Sequence, residues 1–255
     1  MSSILENFSL KGKVALVTGS STGLGQGMSI AFAEAGASVV GVDYVDSPDT
    51  KARIEATGGR FHSVVANLMS IEPCQRLVEE TVKVFGKIDI LVNNAGIIRR
   101  QDIIDFSEKD WDDVLDLNLK TVFFLSQAAA RQYISQGHGG KIINIASMLS
   151  FQGGIRVVSY TASKSGVAGI TKAMANEWAK HNIQTNAIAP GYMATNNTAQ
   201  LRQDAERSED ILKRIPAARW GLPADLMGPA IFLASQASDY LNGAVVPVDG
   251  GWLAR

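Results

Sequence analysis

The stretch V-A-L-V-T-G-S-S-T-G-L-G, residues 14–25, runs from four apolar residues through a glycine-rich turn into a helical pattern. A short apolar run bounded by turn residues predicts a buried strand, and apolar positions from Met28 to Ala35, followed by Gly36, predict a helix. Glycines let a ligand approach the backbone, and free N–H groups at a helix start favour negative charge. The stretch therefore predicts a pyrophosphate site. Its glycine spacing differs from the common G-x-G-x-x-G fingerprint, so it matches that motif in mechanism only.

The alternation of apolar runs and helical patterns continues to the C-terminus. Strand candidates lie at residues 14–17, 38–42, 61–65, 88–92, 142–145, 183–188 and 244–248. Helical patterns lie at residues 24–35, 71–85, 111–135, 159–181 and 226–235. This alternation predicts an α/β fold: one Rossmann-like, doubly wound domain over residues 1–255, with a seven-stranded parallel sheet and helices on both faces.

Residues 195–216 do not fit the alternation, because they are polar, helical in tendency and without a strand pattern. An insertion after the carboxyl end of a strand is well placed to close over a ligand. We therefore expect a substrate lid here, with an inert pair of surface helices as the alternative.

Asp43 ends the apolar run 38–42, about twenty residues beyond the glycine turn. A carboxylate there can accept hydrogen bonds from the ribose hydroxyls of an adenosine and would repel a 2′-phosphate. Asp43 thus favours NAD over NADP. The alternative is a solvated aspartate at the end of a strand.

Tyr160 and Lys164 stand four positions apart, which places them on one face of a helix, and Ser147 precedes Tyr160 by thirteen residues. An ammonium beside a phenol favours the phenolate, so we expect Lys164 to lower the pKa of Tyr160 from its usual value near ~10. Such a tyrosine can exchange a proton with an alcohol or ketone oxygen. A surface lysine beside a half-buried tyrosine is the alternative for the pair alone.

Several motifs occur in the order found in short-chain dehydrogenases/reductases: Gly19-x-x-x-Gly23-x-Gly25, Asn93-Asn94-Ala95-Gly96, Asn118, Ser147, Tyr160 with Lys164, and Pro190-Gly191. The chain resembles this family from about Leu10 to the C-terminus. The resemblance implies an NAD-dependent oxidoreductase that interconverts a secondary alcohol and a ketone. It also implies a cofactor site formed by Gly19, Ser21, Gly23, Leu24, Gly25, Asp43, Asn67, Leu68, Asn94, Ala95, Gly96, Tyr160, Lys164, Pro190, Gly191, Met193 and Thr195.

One position departs from the family pattern. Asn67 stands where many relatives carry an aspartate that binds the adenine. Its amide can both accept and donate hydrogen bonds, so adenine binding at Asn67 and Leu68 remains expected.

The resemblance further implies Asn118, Ser147, Tyr160 and Lys164 as catalytic residues. Ser147 and Tyr160 would hold the reacting oxygen, and Lys164 would also bind the nicotinamide ribose. Asn118 resembles the family's asparagine that holds a proton-relay water, although a buried amide in a helix can instead satisfy backbone groups.

A hexonate-type sugar acid is the substrate that the resemblance implies. Arg99, Arg100 and Arg156 flank the expected crevice, and an arginine fork suits a carboxylate, although a solvated arginine is the simpler interpretation of each. The resemblance favours Arg156. The expected substrate contacts are Ser147, Gln152, Arg156, Tyr160 and Asn197.

Composition excludes several other classes of protein. The chain has 24 basic and 25 acidic residues, hence a net charge of −1 and no electrostatic reason to bind nucleic acid or an anionic membrane. Cys74 is the only cysteine, and the three histidines are scattered, so we expect neither a disulfide nor a metal site. No apolar run approaches the ~18–20 residues that span a bilayer. We expect a cytoplasmic protein and, by the resemblance, a homotetramer.

Two other functions remain open at this stage. A gluconate or polyol dehydrogenase could be built on the same motifs, and a more remote alternative is a nucleotide-binding sensor without turnover. The presence of Ser147, Tyr160 and Lys164 together argues against the sensor.

Overall fold

The computed structural model describes residues 3–254, so residues 1, 2 and 255 of the predicted domain lie outside the described part. Each predicted strand is present, with its ends moved by two residues at most. The strands are β1 (Val14–Thr18), β2 (Ser38–Asp43), β3 (Arg60–Val65), β4 (Ile90–Asn93), β5 (Gly140–Ile145), β6 (Ile183–Pro190) and β7 (Val245–Val248). They form one seven-stranded sheet in the order β3-β2-β1-β4-β5-β6-β7, and every pairing is parallel. The predicted fold class is therefore confirmed.

The strand order reverses direction between β1 and β4. After β3, at one edge of the sheet, the chain returns to the centre as β4 and then adds strands toward the other edge. At such a switch point the loops after the two central strands diverge and leave a crevice at the carboxyl ends. The glycine turn follows β1 and the Asn94–Gly96 segment follows β4, so both motifs border this crevice.

Helices cover both faces of the sheet. They are α1 (Gly23–Glu34), α2 (Pro48–Ala56), α3 (Pro73–Phe85), α4 (Glu108–Leu115), α5 (Thr121–Gln136), α6 (Val158–Trp178), α7 (Ala199–Gln203), α8 (Ala205–Arg214) and α9 (Pro223–Ala234). On one face, Met28 and Phe32 of α1 share a core with Leu226 of α9. On the other, Leu77 of α3 packs with Leu125 of α5. The central strands β1, β2 and β4 are buried at every position and are mostly apolar, as expected for parallel strands covered on both faces.

Two helical features differ from the prediction. The pattern at residues 111–135 is not one helix, because a π-helical segment, Asp116–Lys120, separates α4 from α5. The helix α2 was not predicted, because only Thr50 and Ile54 of its nine residues are buried, which leaves no apolar stripe to detect. The predicted lid, residues 195–216, does contain helices, namely α7 and α8.

Within the described residues, no helix is both long and apolar enough to cross a membrane. The same residues contain no cluster of three or more histidine, cysteine or acidic side chains arranged to hold a metal ion.

Candidate active site

The glycine turn after β1 is so tightly packed that two of its positions admit only glycine. Gly19 has a φ of +68°, which side chains disfavour, and a Cβ there would lie 2.7 Å from Nδ2 of Asn94. Gly25, in the first turn of α1, has even less room, because a Cβ there would lie 2.0 Å from the carbonyl oxygen of Gly19. The predicted roles of these glycines thus have a steric basis that the structure makes explicit.

The start of α1 leaves its first N–H groups without hydrogen-bond partners in the described structure. Thr22, at the N-cap, makes no side-chain capping bond, and the first backbone bond of the helix is the one from the Gln26 N–H to Thr22. Unpaired N–H groups and the positive end of the helix dipole meet here. Ser21, Gly23 and Leu24 line a cavity in front of this helix end, so the arrangement fits a pyrophosphate.

Two residues from neighbouring strands hold the turn in place. The Asp43 carboxylate accepts hydrogen bonds from the Ser21 N–H at 3.0 Å and from the Tyr44 N–H at 2.8 Å. Asn94 donates to the carbonyl oxygens of Thr18 at 2.9 Å and Gly19 at 3.2 Å. Asp43 therefore braces the turn in addition to the ribose contact predicted for it.

Thr18 is a supporting residue that the sequence analysis did not identify. Its hydroxyl oxygen accepts the N–H groups of Asn94 and Ala95, each at 3.0 Å, and its proton goes to the carbonyl oxygen of Val92. A threonine directly before the first glycine, at the end of a buried strand, was the signal available for it.

A cavity of about 810 Å³ runs along the carboxyl ends of β1, β2 and β4. Asp43 and Arg99 are the charged residues among those lining it. Its walls also include most of the predicted cofactor residues, namely Gly19, Ser21, Gly23, Leu24, Asn67, Leu68, Asn94, Ala95, Gly96 and Thr195. A cavity of this size, with an uncapped helix end on one wall, fits a dinucleotide.

At the predicted adenine end, Asn67 is partly committed to its own loop. Its side-chain oxygen accepts the Met69 N–H at 3.0 Å, which leaves its amide as the group that can donate to a base. Leu68 is buried beside it and, with Val45, gives this end of the cavity an apolar surface.

Pro190, Gly191 and Met193 are not among the residues that line this cavity, and Gly191 and Met193 instead line a smaller one of about 210 Å³. Gly191, directly after β6, binds Val248 through its N–H at 3.0 Å, and a Cβ there would lie 2.6 Å from the Cα of Asp249. Met193 is buried and pairs with Gly221. Thr195 extends from this segment into the cavity, where its methyl group lies 3.6 Å from the position of a Cβ on Gly23.

Ser147, Tyr160 and Lys164 come together between the segment after β5 and the start of α6. Ser147 is buried directly after β5, and Tyr160 and Lys164 lie one turn apart on α6. The Lys164 ammonium lies 5.6 Å from the centre of the Tyr160 ring and donates to the carbonyl oxygen of Ile145 at 2.6 Å. The Ser147 oxygen accepts the Leu149 N–H at 3.1 Å, and its hydroxyl is hydrogen-bonded to the Tyr160 phenol.

The expected lowering of the Tyr160 pKa by Lys164 is not what this geometry produces. Burial raises the pKa of Tyr160, and hydrogen bonding with Ser147 and the charge of Arg100 only partly offset that rise. Lys164 is itself nearly inaccessible, and burial lowers its pKa to about 8. The surrounding protein disfavours the charged form of each group, although Tyr160 as a whole is half-buried and Lys164 is buried; the i, i+4 spacing alone does not reveal this.

Asn118 is fully buried in the π-helical segment. It accepts the Ile97 N–H at 2.9 Å and donates to the Ile97 carbonyl oxygen at 2.9 Å, with a longer contact to Ser163 at 3.4 Å. The amide therefore fixes the segment that follows Gly96. This contact satisfies backbone groups, one of the two roles considered for Asn118, and π-helical turns often occur at functional sites.

The three arginines near the crevice differ in their partners. Arg156 is exposed and pairs with Asp102 at 3.0 Å, and Arg99 pairs with Asp110 at 3.2 Å. Arg100 binds only the backbone oxygen of Asn197, at 3.2 Å, and no carboxylate within the described part of the chain lies in ion-pair range of it. Arg100 is also the arginine whose charge acts on Tyr160.

The two predicted polar substrate contacts also differ. The side-chain oxygen of Gln152 accepts Trp252 at 3.2 Å and Arg214 at 3.4 Å, which directs it toward α8 and the C-terminal segment. Asn197 lines the cavity, and its side chain has no hydrogen-bond partner among the described residues. Asn197 is therefore better placed than Gln152 to meet a ligand.

Comparison with known proteins agrees with this geometry. Residues 13–206 match the family model described as short chain dehydrogenase. The chain is 68% identical, over 99% of its length and 100% of the relative's, to the 2-dehydro-3-deoxy-D-gluconate 5-dehydrogenase of Dickeya dadantii.

Two solved structures are similar throughout. One, from Agrobacterium tumefaciens, is assigned as a 2-deoxy-D-gluconate 3-dehydrogenase with bound NADP; it shares 52% identity and a TM-score of 0.93, covering 98% of this chain and 99% of its own. The other is a gluconate 5-dehydrogenase from Burkholderia cenocepacia in complex with NADP and tartrate, at 39% identity and a TM-score of 0.94, covering 99% of this chain and 100% of its own. The chain belongs to the short-chain dehydrogenase/reductase family and is a nicotinamide-dependent oxidoreductase acting on CH–OH groups.

Proposed function

We propose that this protein is an NAD-dependent dehydrogenase that interconverts 2-dehydro-3-deoxy-D-gluconate and its 2,5-diketo form. The observation that carries the proposal is the proximity of Ser147, Tyr160 and Lys164 to one another, in a chain whose large cavity has an uncapped helix end in its wall. Relatives that share about two thirds of their residues with this chain over its whole length carry the corresponding name.

A nicotinamide dinucleotide held along the wall formed by Gly19, Ser21 and Gly96 would supply hydride transfer to and from the carbinol carbon. Ser147, whose hydroxyl is hydrogen-bonded to the Tyr160 phenol in the described structure, would donate to the reacting oxygen once a substrate is bound. Tyr160 would take the hydroxyl proton in oxidation and give one to the carbonyl oxygen in reduction. Lys164, next to the phenol, would bind the nicotinamide ribose, and Asn118 would keep the adjoining wall in place.

Asp43 supports NAD as the cofactor. The segment D-Y-V-D-S-P-D, residues 43–49, holds three aspartates and no basic residue that could pair with a 2′-phosphate. Asp43 is buried, so its charge is screened less than that of a surface carboxylate. Related structures hold NADP, and turnover with NAD(H) compared with NADP(H) tests the preference of this chain for NAD.

Arg100, rather than Arg156, is the arginine that we assign to the substrate carboxylate. Arg100 has no ion-pair partner in the described structure and its charge reaches Tyr160, whereas Arg156 is paired with Asp102. Asn197 would then contact a substrate hydroxyl, because its residue lines the cavity and its backbone oxygen already binds Arg100. Gln152 would contribute only if its bonds to Trp252 and Arg214 were exchanged.

Residues 195–216 are proposed as the lid over this substrate. Asn196 and Asn197, at its start, line the cavity. At its end, Ile211 and Ile215 are buried in a small core with Met148 and Trp252. The start is held by hydrogen bonds of Thr198 to Met193 and Thr195, so closure would have to occur by a local hinge between these bonds and the buried end.

We also propose a cytoplasmic homotetramer. Ala128 and Ala129 of α5 are buried against the chain's own core, but Gly169 of α6 is exposed and would let a second copy approach the helix closely. Light scattering should give four times the chain mass of 27.2 kDa. A measured mass equal to that of one chain would contradict the proposed homotetramer.

A turnover panel tests the function. Purified protein is assayed with NAD(H) and NADP(H) against 2-dehydro-3-deoxy-D-gluconate, D-gluconate and a neutral polyol. The proposal expects the highest kcat/KM for 2-dehydro-3-deoxy-D-gluconate with NAD. A preference for gluconate or the polyol would instead select the alternative dehydrogenase, and cofactor binding without turnover on any substrate would select the sensor.

A further inference from the structure

Ser150 connects the two elements that carry the proposed catalytic residues. Its hydroxyl donates to the carbonyl oxygen of Lys164 at 2.6 Å and accepts the N–H of Ser147 at 3.4 Å. Lys164 in turn binds the carbonyl oxygen of Ile145, two residues before Ser147. These bonds close a ring from β5 through the turn after it to α6 and back to β5.

The turn itself determines where the Ser147 hydroxyl points. Residues Met148–Ser150 form a short 3-10 helix with Ser147 as its extended N-cap, and Ser147 and Ser150 cap each other reciprocally. Within this turn the Leu149 N–H reaches the oxygen of Ser147. If the hydrogen bond of Ser150 to the Ser147 N–H or to the Lys164 carbonyl oxygen were lost, the turn could shift relative to α6. The Ser147 hydroxyl would shift with it.

We propose that Ser150 is a positioning residue, which holds the Ser147 hydroxyl in register with Tyr160 and Lys164. The inference rests on the proposed function, and it adds a residue whose effect is transmitted through Ser147 and Lys164 rather than exerted on the substrate. Half-burial of Ser150 makes its 2.6 Å bond to Lys164 less open to competition from water.

Ser165 provides a matched control. It lies next to Lys164 on α6, and its hydroxyl also bonds a carbonyl of the same turn, that of Leu149 at 3.3 Å. A Ser165→Ala variant therefore loses one hydroxyl–carbonyl bond across the same interface without touching Ser147 or Lys164. A difference between the Ser150→Ala and Ser165→Ala variants isolates the ring from ordinary packing.

We expect Ser150→Ala to lower kcat about 10-fold or more, because a displacement of about 1 Å at reacting groups can cost up to ~100-fold. The KM for NAD should change less than about twofold, because the glycine turn is not involved. Since hydrogen bonding with Ser147 lowers the pKa of Tyr160, loosening Ser147 should move the rise of the oxidation rate to higher pH. Ser150→Thr keeps the hydroxyl and should restore most of kcat, while Ser165→Ala should stay close to wild type in kcat and pH profile.

Three results would overturn the inference: Ser150→Ala matching Ser165→Ala in kcat and pH profile, Ser150→Thr being as slow as Ser150→Ala, or a loss of rate that only follows the fraction unfolded. If Ser150→Ala does not fold, Ser150→Cys, which keeps the shape but donates weakly, has to meet the same criteria. Wild-type protein without turnover on the substrate panel would instead contradict the proposed function, before any variant is compared.

Discussion

The two sides of the crevice are built in different ways. On the cofactor side, the glycine turn is fixed from β2 by Asp43 and from β4 by Asn94, and a Cβ at Gly25 has no room. On the substrate side, Arg156 and Asp102 form an ion pair between side chains that are 55% and 65% exposed. Exposed pairs of this kind contribute only about 0–1 kcal/mol.

The difference follows from what each side has to bind. The pyrophosphate and its two riboses are common to the dinucleotides that the family binds. A rigid, pre-formed turn therefore does not restrict which substrates can be used. A substrate pocket distinguishes related acids by a few charged and amide side chains, and weakly held pairs allow those side chains to be exchanged. Arg100 and Asn197, which lack side-chain partners in the described structure, are the residues that this contrast assigns to the substrate.

The largest effect is expected on the cofactor side, from Gly25→Ala. The new Cβ would lie 2.0 Å from the Gly19 oxygen and 2.5 Å from Nδ2 of Asn94, so the turn would have to open. Overpacking costs about 1–3 kcal/mol, and NADH affinity measured by fluorescence titration should fall about 100-fold. The matched control is Gly153→Ala on the substrate side, where a Cβ meets no atom within 4 Å. Unchanged NADH affinity in Gly25→Ala would show that the turn is not rigid.

Arg100→Ala tests whether Arg100 binds the substrate carboxylate. Loss of a charge-assisted contact worth about 1.5–3 kcal/mol should raise KM for 2-dehydro-3-deoxy-D-gluconate roughly 10- to 100-fold. KM for a neutral polyol should change little, and kcat should fall less than KM rises. In the control, Arg156→Ala, KM should stay within about threefold because that arginine is already paired. A larger rise in KM for Arg156→Ala than for Arg100→Ala would mean that Arg156 binds the substrate carboxylate.

Lys164→Met tests how much the buried Lys164 charge, located between the cofactor and substrate sides, lowers the free energy of unfolding. The lysine has a pKa of about 8 in the folded protein against 10.5 when unfolded, so holding it charged at pH 7 costs up to about 3 kcal/mol. Below pH 8 this cost is fully present. Between pH 8 and 10.5 the unfolded chain binds more protons than the native one, so wild-type stability rises with pH.

The Met variant should accordingly be more stable than wild type at pH 7 by about 1–2 kcal/mol, after the loss of the bond to Ile145. The advantage should shrink toward pH 10. Urea unfolding at both pH values measures it. A variant that is less stable at pH 7, by an amount independent of pH, would mean that the ammonium is well solvated.

Local sequence patterns were sufficient to predict most of the fold and most of the candidate site residues. The β-strands could be predicted because each one is an apolar run between turn residues, and the Tyr160–Lys164 pair because helix geometry aligns i and i+4. The bonds of Asp43 to Ser21 and of Asn118 to Ile97 join residues that are distant in sequence. No local pattern encodes such contacts.

Electrostatics was the least predictable part. Sequence spacing suggested that Lys164 would lower the pKa of Tyr160, but burial has the larger effect and raises it. The choice among Arg99, Arg100 and Arg156 likewise depended on which of them had an acidic partner, and Asp102 and Asp110 supply partners for two of the three. Burial and pairing are properties of the folded chain, so they required the structure.

The central claim is that Tyr160 transfers the proton while the cofactor binds independently of it. Tyr160→Phe removes one oxygen and leaves the ring, so it tests this claim most directly when NADH affinity and turnover are measured on the same sample. The account predicts NADH affinity within about twofold of wild type and a turnover reduced by at least about 100-fold. Turnover equal to that of wild type would contradict it.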